Sequence, residues 1–243
     1  MRNLYVVSIQ VMVLLAVTGC GGSDRTTKSG QRESTQAEEG SRQAAGDVPA
    51  SLGRVESGAE DAIDLARAGD RAEVIKTVRA MRRAAEGAAA TDLRAAAVPE
   101  SQIEALRDRA RLLAGLAPRA GLVRVSLAAN GISALMPELY ARYEDPVPPD
   151  VLKLDYLDRE AQLRSLAGDR ASVPKAAQEL STTWTELRPQ VLDAKGKRVA
   201  ARYDRHVRSM RRRARGPNDE ALQREAVRGL ELVDELEHQF RAR

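Results

Sequence analysis

Apolar residues recur every three or four positions through most of the chain from Pro49 onward, and this spacing limits the fold more than any other feature. Leu52, Val55, Ala59 and Ile63 form the first such series. A repeat of three to four residues places side chains on one face of an α-helix, whereas a strand needs strict alternation. Ala, Leu, Arg and Glu are abundant, and these residues favour helices. The sequence therefore predicts an all-α body.

About eight periodic segments follow one another, which predicts one or two antiparallel helical bundles. Their apolar stripes begin at Leu52, Val74, Ile103, Leu122, Leu152, Ala177, Val199 and Leu222. Pro137 is expected to kink the fourth segment, because proline removes a backbone donor. The proline-rich loop from Glu144 to Asp150 predicts a boundary. Residues 49–145 would then form a first helical half and residues 146–243 a second.

A short motif occurs twice. Residues 68–72 (Ala-Gly-Asp-Arg-Ala) recur as residues 167–171, and the positions around the two copies match at the same offset. In each copy the glycine is expected to end one helix in the left-handed conformation and the aspartate to cap the next helix. In the first copy, Glu73 is expected to complete a capping box with Asp70. The motif indicates either a duplication or two helix corners that converged.

The N-terminus has the layout of a secretory signal followed by a cysteine. A short charged start precedes an apolar stretch from Leu4 to Val17, which is too short to span a bilayer as a helix. The stretch ends in Val17-Thr18-Gly19-Cys20, which resembles the bacterial lipobox: an aliphatic residue, two small residues and a cysteine. In this motif leucine is commoner than valine at the position of Val17, and alanine or serine is commoner than threonine at the position of Thr18. The alternative is an ordinary cleaved signal with an incidental cysteine.

The lipobox resemblance implies that residues 1–19 are a signal peptide and that Cys20 carries diacylglycerol, with the new amine open to further acylation. Two or three acyl chains would anchor the protein stably, because each buried methylene contributes about 0.8 kcal/mol. Cys20 is the only cysteine, so no disulfide is expected. Gly21 stands where an aspartate would resemble the enterobacterial inner-membrane retention signal. We therefore expect a lipid-anchored envelope protein, at the outer membrane where the organism has two.

Residues 20–48 are expected to be the lipidated cysteine and a disordered tether. From Gly21 to Asp47 there is no aromatic residue and no aliphatic residue larger than alanine. Such a segment buries too little apolar surface to offset the entropy of ordering. A flexible chain of this length reaches roughly 30 Å, so the helical body would stand off the membrane.

The seventh segment is strongly basic, although the formal charge of the whole chain is only +4. Residues 195–215 include ten Lys and Arg residues and only one acidic residue, Asp204. The candidate contacts for an anionic partner are Arg202, Arg205, Arg208, Arg211, Arg212, Arg213 and Arg215. This face would bind an envelope protein, an anionic lipid or an anionic polymer, or it is a solvated face neutralised by the acidic last helix. Nucleic acid is not expected, because only Tyr203 interleaves the basic positions.

The candidates for metal binding are few. Glu235 and His238 have the Glu-x-x-His spacing of carboxylate-bridged di-iron bundles, but a second such motif is missing. His206, one turn from Met210, is a further weak candidate ligand for a metal or for haem. The duplicated helical layout is loosely similar to imelysin-type iron-uptake proteins, although their histidine and glutamate motif is missing here. This resemblance implies an alternative function in periplasmic metal or haem binding.

Motifs for enzymatic chemistry are missing. There is no Gly-x-Ser-x-Gly motif, no His-Glu-x-x-His motif, no cysteine-based motif and no glycine-rich phosphate loop. The sequence therefore favours a non-enzymatic interaction or scaffold module, without a cofactor, on a lipid tether.

The lipobox predicts that acylation depends on one side chain. A labelled fatty acid fed to cells that express the chain should be incorporated, and Cys20→Ala should abolish the incorporation because no other thiol is present. In-gel detection of an alkynyl fatty acid measures this. A label that survives the substitution would contradict lipidation at Cys20.

Overall fold

The computed structural model describes residues 46–242, and these residues form helices without a β-strand. The helices are α1 (Ala50–Ala68), α2 (Arg71–Glu86), α3 (Ala88–Ala95), α4 (Glu100–Leu116), α5 (Leu122–Ser133), α6 (Met136–Tyr140), α7 (Pro149–Leu166), α8 (Val173–Asp193), α9 (Lys197–Arg215) and α10 (Asp219–Arg241). The predicted all-α fold is confirmed. None of these ten helices has both the length and the apolar character that crossing a bilayer requires. The signal peptide, Cys20 and most of the predicted tether lie outside the described residues.

Two of the predicted segments are each divided in two. The second ends at Glu86, and α3 begins after Gly87. The fourth ends at Ser133, and α6 begins at Met136. Pro137 lies in the first turn of α6, where its missing N–H would have had no helical partner. It therefore starts a helix instead of kinking one. For the same reason, α7 begins at Pro149, inside the predicted loop.

The buried apolar side chains form two clusters. The first comes from α1–α6 and the segments that join them, and we call this part the N-terminal bundle. The second comes from α7–α10 and the residues around them, and we call it the C-terminal bundle. In the first, α1, α2, α4 and α5 contact one another in a ring; α7, α8, α9 and α10 do the same in the second. The two bundles meet where α5 and α6 pack against α7.

The repeated motif makes equivalent contacts in the two bundles. Gly69 and Gly168 both have a positive φ, of 82° and 75°. The guanidinium of Arg71 donates to the carbonyl oxygens of Ala117 and Ala120, both at 2.8 Å, just after α4. Arg170, its counterpart, donates to the carbonyl oxygen of Gly216, just after α9. The same corner and the same anchoring arginine support an internal duplication.

The aspartates of the two corners differ. Asp70 caps α2 by accepting from the backbone N–H of Glu73 at 3.1 Å, as predicted. The Glu73 carboxylate pairs with Lys76 instead of closing the capping box, because the N–H of Asp70 already donates to the carbonyl oxygen of Leu65. Asp169 does not cap α8, whose first residue is Val173. Pro174 fits only in the first turn, which places the start of that helix later.

Half-buried carboxylates lie between α1 and α7. Glu60 and Arg159 are separated by the same offset as the two copies of the motif, and their side chains meet at 3.5 Å. Arg159 is held more closely by Asp155, at 2.7 Å. Tyr140 donates to the carboxylate of Glu56. Burial raises the pKa of Glu56 to about 7 and that of Glu60 to about 8.

These carboxylates predict that the fold loses stability as the pH rises. A carboxyl whose pKa is raised in the folded state contributes its full stability below the ordinary pKa of 4.5, and this contribution is lost as the pH rises through about 8 for Glu60. Because Glu60 is still 37% exposed, we expect Glu60→Gln to stabilise the protein by only about 1 kcal/mol at pH 9 and by nothing at pH 4. Thermal unfolding measures this. Asp61→Asn, an exposed change on the same helix, is the control, and an equal effect of both would contradict the assignment.

Candidate functional site

A buried histidine joins three helices of the C-terminal bundle. His206 lies on the inner face of α9 and is 2% exposed. Its Nδ1 is 3.1 Å from a carboxylate oxygen of Glu225 on α10. Its Nε2 is 3.0 Å from a carboxylate oxygen of Asp158 on α7. Both carboxylates are themselves buried, at 3% and 0% exposure. The imidazole therefore bridges two acidic side chains from different helices.

Further hydrogen bonds satisfy the carboxylate oxygens of this buried network. The hydroxyl of Tyr203 donates to Asp158 at 3.1 Å. The hydroxyl of Ser209 donates to Glu225 at 2.6 Å, and Arg213 reaches the same oxygen at 3.3 Å. Buried polar groups are costly unless they are hydrogen-bonded, so these contacts explain how the core tolerates the network.

The network holds a proton well above neutral pH. Burial alone would lower the pKa of His206, but the Asp158 carboxylate, and then Glu225, raise it to about 9. Burial alone would raise the pKa of Glu225, but the hydrogen bonds from His206 and Ser209 lower it to about 2. Burial raises the pKa of Asp158 as well, although its contacts with His206 and Tyr203 lower it. We therefore place a proton between the imidazole and the Asp158 carboxyl group at neutral pH. The stabilisation from His206 is present in full below pH 6.5 and is lost as the pH rises through about 9.

The contacts of the two ring nitrogens decide whether His206 can act as a ligand for a metal or for haem. Both ring nitrogens are within hydrogen-bond distance of carboxylate oxygens, so neither is free to accept a proton from a nucleophile or to bind a metal ion. Met210, the proposed haem partner, is fully buried in the core. The role that the structure shows for His206 is to fasten α7, α9 and α10 to one another.

Gly229 on α10 makes room for this network. A Cβ atom at this position would lie 2.6 Å from Nε2 of His206 and closer still to the carboxylate of Asp158. Real Cβ atoms essentially never approach so closely. Only glycine therefore lets α10 pass directly over the Asp158–His206 contact.

A cleft of about 440 Å³ opens above the buried network, between α9 and α10. Its walls include five arginines, namely Arg202, Arg205, Arg208 and Arg212 of α9 and Arg228 of α10. Ser209, Glu225 and His206 contribute to its floor. We call this the α9–α10 cleft. It contains four of the seven arginines that the sequence suggested as contacts for an anionic partner, whereas Arg211, Arg213 and Arg215 lie outside it.

Acidic residues neutralise only part of the basic face of α9. Arg202 pairs with Glu235, and Arg213 with Glu225. Arg208 acts electrostatically on Asp204. Within residues 46–242, by contrast, no ion pair reaches the exposed side chains of Arg205, Arg211, Arg212 and Arg215. The acidic face of α10 thus compensates the inner arginines and leaves the outer ones uncompensated.

The other candidate metal ligands are not brought together into a site. Glu235 is occupied by Arg202, and His238 is exposed near the end of α10. In the described part of the chain, no group of three or more His, Cys, Asp or Glu side chains is placed to hold a metal ion. The structure therefore gives the Glu235–His238 spacing no supporting ligand.

Sequence reasoning did not connect Asp158, His206 and Glu225, and it missed Arg228. A comparison of the two halves at the offset of the repeated motif could have indicated these residues. At the offset of the repeat, the buried residues Ala59, Ile63 and Ala66 of α1 correspond to Asp158, Gln162 and Ser165 of α7, which are also buried. Three positions that are apolar in one copy are polar in the other, and one of them, Asp158, belongs to the buried network around His206.

Comparisons with protein-family models, with curated proteins and with solved structures find no match to this chain.

The close approach at Gly229 predicts a large effect of one added methyl group. Gly229→Ala should lower the free energy of unfolding by about 2 kcal/mol, because the Asp158–His206 contact has to separate. Gly115→Ala in α4 is the control: the nearest atom to its Cβ is the end of the Arg119 side chain, at 3.7 Å, so helix propensity should stabilise it slightly. Denaturant unfolding measures both. Equal effects would show that Gly229 is not needed for the network.

Proposed function

We propose that this chain is a lipid-tethered, non-enzymatic module of the cell envelope whose helical body recruits an anionic partner through the basic face of α9. The observation that carries the proposal is a group of exposed arginines on α9 that have no ion pair within the described residues, among them Arg205, Arg211, Arg212 and Arg215. Clustered and uncompensated guanidinium groups attract carboxylates and phosphates.

The arginines of the N-terminal bundle differ from those of α9, and this difference supports the proposal. Its α4 corresponds to α9 in the ring of helices and also carries arginines. There, however, Arg107 pairs with Glu104, and Arg111 pairs with Asp108 and Glu86. Arg109 donates to the carbonyl oxygen of Gly131. An arginine-rich composition alone would leave both helices alike, so the uncompensated face of α9 needs a different reason.

A binding role also fits the interior of the bundle. The network around His206 has no free imidazole nitrogen for general base catalysis. It instead holds α9 and α10 in a fixed relation, and these two helices carry the walls of the cleft. This is what a rigid recognition surface requires.

Crosslinking in the native envelope tests the proposal. Replacing Arg205, Arg211, Arg212 and Arg215 with Glu should abolish the crosslinks of the helical body, because the attractive charges become repulsive. The variant should still fold, since none of these side chains has an ion pair in the described structure. Circular dichroism checks the folding, and label-transfer crosslinking measures the association.

The chain offers a matched control. Arg54, Arg79, Arg119 and Arg124 are also exposed, lie in the N-terminal bundle and have no ion pair in the described region. Their replacement with Glu changes the net charge by the same amount. If this control loses the same crosslinks, the association depends on total charge and the assignment to α9 is wrong. Crosslinks that survive in the α9 variant would overturn it as well.

A further inference from the structure

The α9–α10 cleft has the shape and charge of a site for a small ligand. Its volume of about 440 Å³ falls within the range typical of small-molecule pockets, which is roughly 300 to 1,000 Å³. Arg205, Arg208 and Arg212 follow one another at spacings of three and four residues, so they line one face of α9. Arg228 approaches from α10. Guanidinium groups therefore reach the same space from two helices.

From this arrangement we propose that the cleft binds a phosphate ester. A phosphate monoester has three terminal oxygens and a charge near −2, so it can accept hydrogen bonds from arginines on both walls at once. A carboxylate has two oxygens in one plane and a single charge, which one guanidinium already satisfies. The volume exceeds that of a bare phosphate group and leaves space for the esterified part. This inference rests on the proposed function and names the chemistry that the basic face recognises.

The carboxylate of Glu225 in the floor of the cleft does not oppose an anion there. It is 3% exposed and accepts hydrogen bonds from His206, Ser209 and Arg213. Arg228 lies 3.9 Å from it on the solvent side. The negative charge is thus covered by positive groups, and a bound phosphate would meet the guanidinium groups first.

Other basic residues of α9 provide an internal test. Lys197 and Arg198 lie on the same helix and are also exposed, but they do not line the cleft and are not among the arginines of the proposed partner contact. Removing these two charges changes the overall electrostatics of α9 as much as removing Arg205 and Arg212. Only the second pair, however, removes hydrogen-bond donors from the cleft.

Calorimetric titration of the full chain in nonionic detergent with glycerol 1-phosphate, at about 0.15 M salt, tests the inference. We expect saturable binding of one ligand per chain, and binding at least about tenfold weaker for Arg205→Gln/Arg212→Gln, since charge-assisted hydrogen bonds are lost. Lys197→Gln/Arg198→Gln should bind about as well as the unchanged chain. Equal losses in both variants, or acetate binding as tightly as glycerol 1-phosphate, would overturn the phosphate site.

The phosphate ester could belong to a lipid or to a soluble molecule, and a second titration separates these sources. Short-chain phosphatidic acid in the detergent micelle should bind more tightly than glycerol 1-phosphate if the acyl chains contribute, and equally if the headgroup alone is recognised. Absence of binding by both phosphates would overturn this inference. If the envelope crosslinks still depended on the four α9 arginines, the proposed function would stand with a different ligand chemistry.

Discussion

The C-terminal bundle depends on one buried network of ionisable side chains, centred on His206. The imidazole, from α9, lies between carboxyl groups from α7 and α10. Taking such charges out of water costs several kcal/mol per ion, so the network is stable only while all its members are present and hydrogen-bonded. In return it fixes the rotation of three helices about their axes, because the two imidazole nitrogens reach both carboxyl groups only when α7, α9 and α10 keep these faces towards one another. Apolar contacts alone would allow these helices to rotate and slide with little penalty.

A comparison of the two bundles shows how the buried network alters the interior of the second one. They share a ring of four helices, a glycine corner and an arginine that anchors the end of the third long helix. In the N-terminal bundle the positions equivalent to Asp158, Gln162 and Ser165 are apolar. If the second copy needed only a stable core, the apolar residues would serve it better, since replacing buried ion networks with well-packed apolar side chains is often stabilising. The polar interior of the C-terminal bundle is therefore best explained by the precise placement of the surface above it.

The sequence predicted the features that depend on near neighbours along the chain. The helical spacing gave the all-α fold, and Gly69 and Asp70 form the predicted corner because each acts on its own helix end. The effect of the prolines was harder to predict, because Pro137 and Pro149 either break a helix or start one, according to where the first turn falls. The contact of Asp158 with His206 joins residues 48 positions apart. No periodicity specifies it, because it depends on which helices become neighbours and how each is rotated.

The sequence identified the arginines of α9 as a group, but it did not predict which of them form ion pairs. Of the five arginines of the cleft, all except Arg228 fall on a basic stretch of α9, and sequence alone gives each the same charge. Their partners lie on α10, where Glu225 and Glu235 reach only the arginines nearest the helix contact. The remaining guanidinium groups stand one turn apart and repel one another, and salt screens this repulsion only beyond roughly 8 Å. The folded protein thus carries an electrostatic cost on one face, and an anion bound in the cleft would relieve it. Because a ligand that binds only the folded state stabilises that state, this face has more to gain from an anionic partner than any ion-paired surface of the N-terminal bundle.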